Sequence, residues 1–392
     1  MTKKLIIASI AFLCSIIFMF ACNNNKKNPG NCKDDNNLTE KNDTSENSTY
    51  DTIEQNETYN SIARILAGKD INDSLNFKEI IKTAEYKNHQ KKIKNIWRNF
   101  NTQYEVIKAW SDTSIDKCDT VFYPFGGPDF NYLNSFFPDC KFSVLVGLEK
   151  TGHLPFLDSL SLSKYDTILN TVVKSIQTNV NLSFFRTYSM QEDLVTYLDG
   201  TLPVLLFFLS SHDYEIINIF SANISENGEI DCIDFNNNIT DSSKYSNGIE
   251  IIYKKAEEKQ YRKLLYFSMD LSDDKLKKSS FPKMIEKNFS NKTTFLKAAS
   301  YLLATDNFLT IKNLILDNSH QIISDPSGIQ FKDFDSTWDI SLYGKYIGPI
   351  KLFSKRLDKE LLEAYEKGNA TAINFKLGYH SSNPSFIVAN KK

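Results

Sequence analysis

The first apolar block of the chain is Leu5–Ala21, set behind the cationic start Met1-Thr-Lys-Lys4 and closed by Cys22. A polar stretch of Asn, Lys, Asp, Thr, Ser and Glu follows to about residue 58 and can bury too little surface to offset its ordering entropy, so it predicts a tether. Helical spacing then sets in: Ile62, Ile65 and Leu66, and later Ile93, Ile96, Trp97, Phe100, Tyr104, Ile107 and Trp110. The Lys91-Lys92-Ile93-Lys94 run falls between those positions and predicts the wet side of that helix. Strand-like Asp119–Tyr123, a Gly126-Gly127-Pro128 turn, a short helix, a Pro break and strand-like Lys141–Gly147 predict a βαβ opening. A helix is expected over Ser161–Val180, and a buried one over Leu202–Leu209 with Pro203 in its first turn. Strands at Ile216–Ile224, Glu229–Phe235, Gly248–Tyr253 and Leu264–Asp270, with turns such as Asn227-Gly228, predict an antiparallel meander. The pattern predicts helix over Phe295–Leu316, strands at His320–Ser324, Ile329–Phe334 and Trp338–Tyr343, helix over Leu357–Lys367 and strand over Ile373–Tyr379. This order predicts one large α/β body, a mixed sheet flanked by helices, over residues 59–392.

The beginning of the chain has the layout of a secretory signal over residues 1–21, and Met19-Phe20-Ala21-Cys22 resembles the lipobox of bacterial lipoproteins. That resemblance implies a diacylglycerol thioether, with palmitate-type acyl chains, on Cys22. It implies residues 22–58 as a tether, and a cell-envelope, extracytoplasmic body held to a membrane by lipid. As an uncleaved helix, the roughly 17 apolar residues would reach about 26 Å, short of a ~30 Å hydrocarbon core. Acylation supplies the two or more chains that stable anchoring requires.

Composition narrows the partners. Of 392 residues, 46 are Lys or Arg and 48 Asp or Glu, a net charge of −2 that disfavours nucleic acid as partner. With 41% hydrophobic and 13% aromatic residues, a substantial core can form. Cys32, Cys118, Cys140 and Cys232 form no CxxC spacing. If the strands after Cys118 and Cys140 are parallel neighbours in register, those two residues lie side by side, near the separation a disulfide needs; two free thiols are the alternative.

Several short blocks, Tyr123-Pro-Phe-Gly-Gly-Pro-Asp-Phe130, Phe136-Phe-Pro-Asp139, Val146-Gly-Leu-Glu149, Phe295-Leu-Lys-Ala-Ala-Ser-Tyr-Leu302, Asp325-Pro-Ser-Gly-Ile329 and Tyr346-Ile-Gly-Pro-Ile350, resemble a family of uncharacterised bacterial exported proteins and lipoproteins. The resemblance implies a shared fold and no particular activity.

Candidate chemistry gathers behind the two parallel strands. Asp129 follows the first, and Glu149 and His153 the second, where open α/β sheets bind ligands. As acid, base or ligating groups, these three would make an envelope hydrolase. With Gly126 and Gly127 turning the backbone toward a ligand and Glu149 holding a ribose diol, the same segment would make a degenerate methyltransferase-like fold that binds S-adenosylmethionine or a nucleotide. Pro128 withholds an amide from any phosphate there, and exported proteins rarely meet such cofactors. Asp129 as a helix cap is the simpler role. The five His occur at neither HExxH nor HxH spacing, and no GxSxG elbow or P-loop is present. Asp325-Pro-Ser-Gly328 predicts a β-turn, and Lys297 and Tyr301, one turn apart, predict a helix-surface pair. The expectation is a membrane-tethered module that binds a small ligand or an envelope protein and carries no cofactor of its own.

Overall fold

The computed structural model describes residues 53–71, 77–155, 162–185, 198, 200–235, 248–289, 291–379 and 383–392. The leader, Cys22 and the first part of the tether lie outside them. The body opens with α1 (Glu57–Leu66), capped by the Asn56 side chain, whose backbone amide also bonds Ile217 O at 2.8 Å. It therefore begins slightly ahead of residue 59.

A ten-stranded mixed sheet runs through the body. Its strands are β1 (Thr120–Tyr123), β2 (Phe142–Gly147), β3 (Tyr214–Ile224), β4 (Ile230–Asp234), β5 (Gly248–Lys255), β6 (Arg262–Ser268), β7 (Lys292–Leu296), β8 (Ser319–Ser324), β9 (Trp338–Gly344) and β10 (Ser385–Lys391). Their order is β4-β3-β5-β6-β2-β1-β7-β8-β10-β9. The centre, β6-β2-β1-β7-β8, is parallel throughout. β3, β4 and β5 extend one flank antiparallel, and β10 lies antiparallel between β8 and β9 on the other. The chain leaves β1 toward β2 and β6, then returns past β1 to β7 and β8, so the sheet is doubly wound with its switch point between β1 and β7.

Helices cover both faces. On one lie α1, α3 (Ala84–Ser114), α4 (Phe130–Phe136), α5 (Leu162–Leu182) and α6 (Leu202–Ser211). The short α2 (Lys78–Ile81) leads into α3. The other face carries α7 (Asp273–Leu276), α8 (Phe281–Asn288), α9 (Leu309–Asn318) and α10 (Lys359–Glu366). β1 shows why both are needed: Val121 and Tyr123 enter the first core and Phe122 the second. α6 is buried all round, as its unbroken apolar sequence requires. Along α3, Lys91 and Lys94 are exposed while Ile93 is buried. No described helix is long and apolar enough to cross a membrane.

The predicted opening is present: β1, α4 and β2, with Thr120 opposite Phe142 in parallel register. That register sets Cys118 and Cys140 side by side as free thiols, Sγ to Sγ 3.8 Å. Four local expectations differ. β5 pairs with β3 rather than β4, so β4 becomes the sheet edge instead of the middle of a meander. Phe295–Tyr301 is not helical: Phe295 and Leu296 end β7, and the chain then turns through left-handed Ala298, Ser300 and Tyr301. Residues 331–333 form a turn of 3₁₀ helix rather than a strand. The last strand is β10; in the expected segment 373–379 the chain makes no strand, and only Thr371 just ahead of it bridges to Tyr343.

Candidate functional site

The carboxyl ends of β1, β2, β6 and β7 surround a cavity of about 510 Å³ at the switch point, a volume suited to a small organic ligand. The turn after β1 supplies Phe125, Gly126 and Gly127, and β2 supplies Gly147, Leu148 and Glu149. Met269 and Asp270 come from the end of β6, and Ala298 and Ser300 from the turn after β7. Phe184, Phe185, Phe308, Phe353 and Tyr379 complete a largely aromatic wall.

Two glycines make the approach possible. Gly127 has φ +56° and its amide bonds Val146 O at 3.0 Å, which folds the β1 turn against β2. A Cβ on Gly147 would stand 2.7 Å from Gly127 Cα and 2.8 Å from Glu149 Oε2, so any side chain there would drive the turn and the carboxylate apart. Beyond Gly147 the chain is fixed by Met269 N to Gly147 O (2.8 Å) and Tyr266 Oη to Glu149 O (2.7 Å). Glu149 is thereby presented at the cavity wall while nearly buried. Burial raises its pKa, opposed by the backbone amides of Leu148 and Glu149 itself. Among the described residues no Lys, Arg or His lines the cavity, and within that set Glu149 and Asp270 face it without a cation.

Asp129 has a different fate. It caps α4 through Tyr132 N (3.4 Å) and accepts from Tyr123 Oη (3.0 Å), Asn179 Nδ2 (2.9 Å) and Lys297 Nζ (2.5 Å). Asp129 and Lys297 are 1% and 0% exposed. The Lys297 ammonium also donates to Ser183 O and sits 4.0 Å from the centroid of the Tyr132 ring. Burial lowers the Lys297 pKa, and the Asp129 charge opposes that shift. From Asn179 the network continues to Asn131 (3.1 Å) and His212 (3.0 Å). Burial holds the His212 imidazole down to about 3, hence neutral.

A second buried acid supports the turn after β7. Asp325 accepts from Ala298 N (2.9 Å) and from Ser327 N and Oγ (2.9 and 2.5 Å), and Gly328 N to Asp325 O (3.1 Å) closes the predicted β-turn. These bonds hold Ala298, Ser300 and Tyr301 at φ +53°, +55° and +57°. Such residues pay for left-handed backbone, and their concentration at a cavity wall marks a built site. Ser300 Oγ meets Tyr379 Oη at 2.7 Å, and Tyr379 Oη donates to Ala298 O at 3.1 Å.

Of the residues singled out in the sequence, the structure gathers Gly126, Gly127 and Glu149 in one cavity. Asp129 is enclosed in the network with Lys297, and His153, half-buried, does not line the cavity, so the three hydrolase candidates do not converge. Lys297 and Tyr301 are not a helix-surface pair: the segment is a strand end and turn, and both side chains are buried. Asp270 was missed because Leu264–Asp270 reads as a strand of an antiparallel meander, whereas β6 ends at Ser268 and pairs parallel with β2. Ser300 and Tyr379 were missed because their partnership spans distant segments. Among the described residues, no cluster of His, Cys, Asp and Glu could hold a metal ion. No known protein family, no curated protein and no solved structure matches this chain.

Proposed function

We propose that the body is a binding module whose cavity takes an uncharged or cationic small molecule bearing hydroxyl donors, a nucleoside or adenosyl compound rather than a phosphorylated nucleotide. The observation that carries this reading is Glu149 at the end of β2, at the switch point, in a cavity lined among the described residues by two carboxylates and no basic side chain. A carboxylate in that position accepts two hydrogen bonds from a vicinal diol. A phosphate would meet two negative charges and a Gly126-Gly127-Pro128 turn with one amide missing. The parallel order, third-second-first-fourth-fifth, is that of nucleotide-binding doubly wound sheets. With an antiparallel strand inserted before the edge, it favours the methyltransferase-like variant over a hydrolase, whose candidate acids lie apart.

Thermal denaturation with added ligand tests this. Adenosine or S-adenosylmethionine is expected to raise the melting temperature, ligand at about a hundred times its Kd adding ~2.7 kcal/mol; ATP leaves it unchanged, and Glu149→Gln removes the effect. Equal stabilisation by ATP, or none by either nucleoside, sinks the reading.

We also propose that this body is held at the cell envelope through lipid on Cys22, a reading supported by the basic, apolar and Cys-terminated leader. In bacterial cells a clickable fatty acid is expected to label the chain, and Cys22→Ala to abolish the label. Persistent labelling of that variant, or none of the wild type, refutes it.

A further inference from the structure

The rim of the cavity differs from its wall. Leu352 and Leu148 both line the opening, and they are 80% and 61% exposed; Ile347, on the same segment as Leu352, is 51% exposed. Large apolar side chains standing this far into water around a cavity mark an interaction surface. The segment that carries two of them, Ser341–Leu357, reads SLYGKYIGPIKLFSKRL and contains no Asp or Glu, although the whole chain is net negative. Its Lys345, Lys351, Lys355 and Arg356 are exposed, and none meets a carboxylate among the described residues.

The fold holds these groups outward. Tyr346 is buried, its hydroxyl 3.4 Å from Asp358 N, and Phe353 packs against Tyr301 (5.1 Å between ring centroids) and Tyr379 (5.4 Å). Between these two anchors the chain passes Pro349 and enters a kinked 3₁₀ turn over Lys351–Arg356. With Phe353 turned in, Leu352 and its cationic neighbours are turned out. Apolar tips interleaved with unpaired cations match one kind of surface, the interface of an anionic bilayer, where leucines enter the acyl boundary and cations stay with the headgroups. Nucleic acid would use the charge and not the leucines; an apolar protein groove would use the leucines and not the charge.

We infer that the 341–357 rim docks on an anionic phospholipid surface, with the mouth of the cavity at the membrane. Its test uses the full-length chain carrying Leu352→Trp, with wild-type emission subtracted, and vesicles of phosphatidylglycerol and phosphatidylcholine. Because the leader can itself bind vesicles, the readout is local: the emission from position 352 shifts to the blue and is quenched by brominated lipid. Pure phosphatidylcholine gives little shift, and added salt reverses it. Combining Lys351→Glu, Lys355→Glu and Arg356→Glu weakens the response by on the order of a hundred-fold, from roughly five-fold per cation. These side chains are exposed, so circular dichroism should give the variants unchanged melting temperatures. Emission from 352 that remains water-like on vesicle-bound protein overturns the inference, as do equal shifts on neutral and anionic vesicles. A stronger response to an RNA homopolymer or an acidic peptide than to vesicles overturns it as well.

Discussion

Two carboxylates follow the first two parallel strands, and the protein treats them oppositely. Asp129, beyond β1, is surrounded by the Lys297 ammonium, the Tyr123 hydroxyl and the Asn179 amide until almost nothing of it reaches solvent. Glu149, beyond β2, meets no cation among the described residues and opens into a cavity. The first shows how a sheet secures a helix and two strands to one another; the second shows what a site looks like when its charge is left for something else. The difference lies in partners rather than in residue type or depth, since both side chains are buried.

The comparison breaks hardest at Lys297. Lys297→Met strands Asp129 as a buried charge and is expected to cost about 3–5 kcal/mol in urea denaturation. Adding Asp129→Asn to that variant should return part of the loss, because the uncompensated charge is removed with it; a double variant no more stable than the single one would mean that packing, not charge, sets the cost.

Glu149→Gln sharpens the other side. Burial raises the Glu149 pKa in the folded protein above its unfolded value, so the folded state binds the proton more tightly. Wild-type stability is therefore favoured at low pH and declines as pH rises from the unfolded carboxylate range through the raised folded value. The variant lacks that decline, so its stability relative to wild type should increase with pH and level off once Glu149 is ionised. A difference that shrinks toward neutral pH would contradict an unpaired Glu149. The effect is smaller than that at Lys297.

Much of the parallel heart was legible from the chain. Strand, Gly-Gly-Pro turn, helix and strand lie within thirty or so consecutive residues, so local chemistry announces β1, α4 and β2, and the helix between the strands makes their connection a crossover suited to parallel pairing. The register even placed Cys118 beside Cys140. β7 was illegible for the opposite reason. Buried on both faces, Lys292–Leu296 shows no alternation, and Leu296, Ala299, Ser300 and Leu303 imitate helical spacing through what is a strand end and a series of left-handed turns. Lys297 was misplaced with it, since its partner Asp129 lies 168 residues earlier and leaves no trace in the neighbouring sequence. Glu149 was found because a strand end is a local feature; the tyrosine and serine that close the cavity come together only in the folded chain.

That same separation sets an order of events. β1 gains β2 from the residues that immediately follow it, whereas its other neighbour, β7, starts at Lys292. Contacts this remote in sequence are reached late, after the entropy of a long loop has been met. A chain delivered amino terminus first, from a ribosome or through a translocation channel, can therefore build one wall of the cavity early and must wait for residue 297 before Asp129 has its counter-ion. Until then the half-made sheet presents an open edge and a buried acid without its match, which makes that interval the one in which a chaperone would matter most.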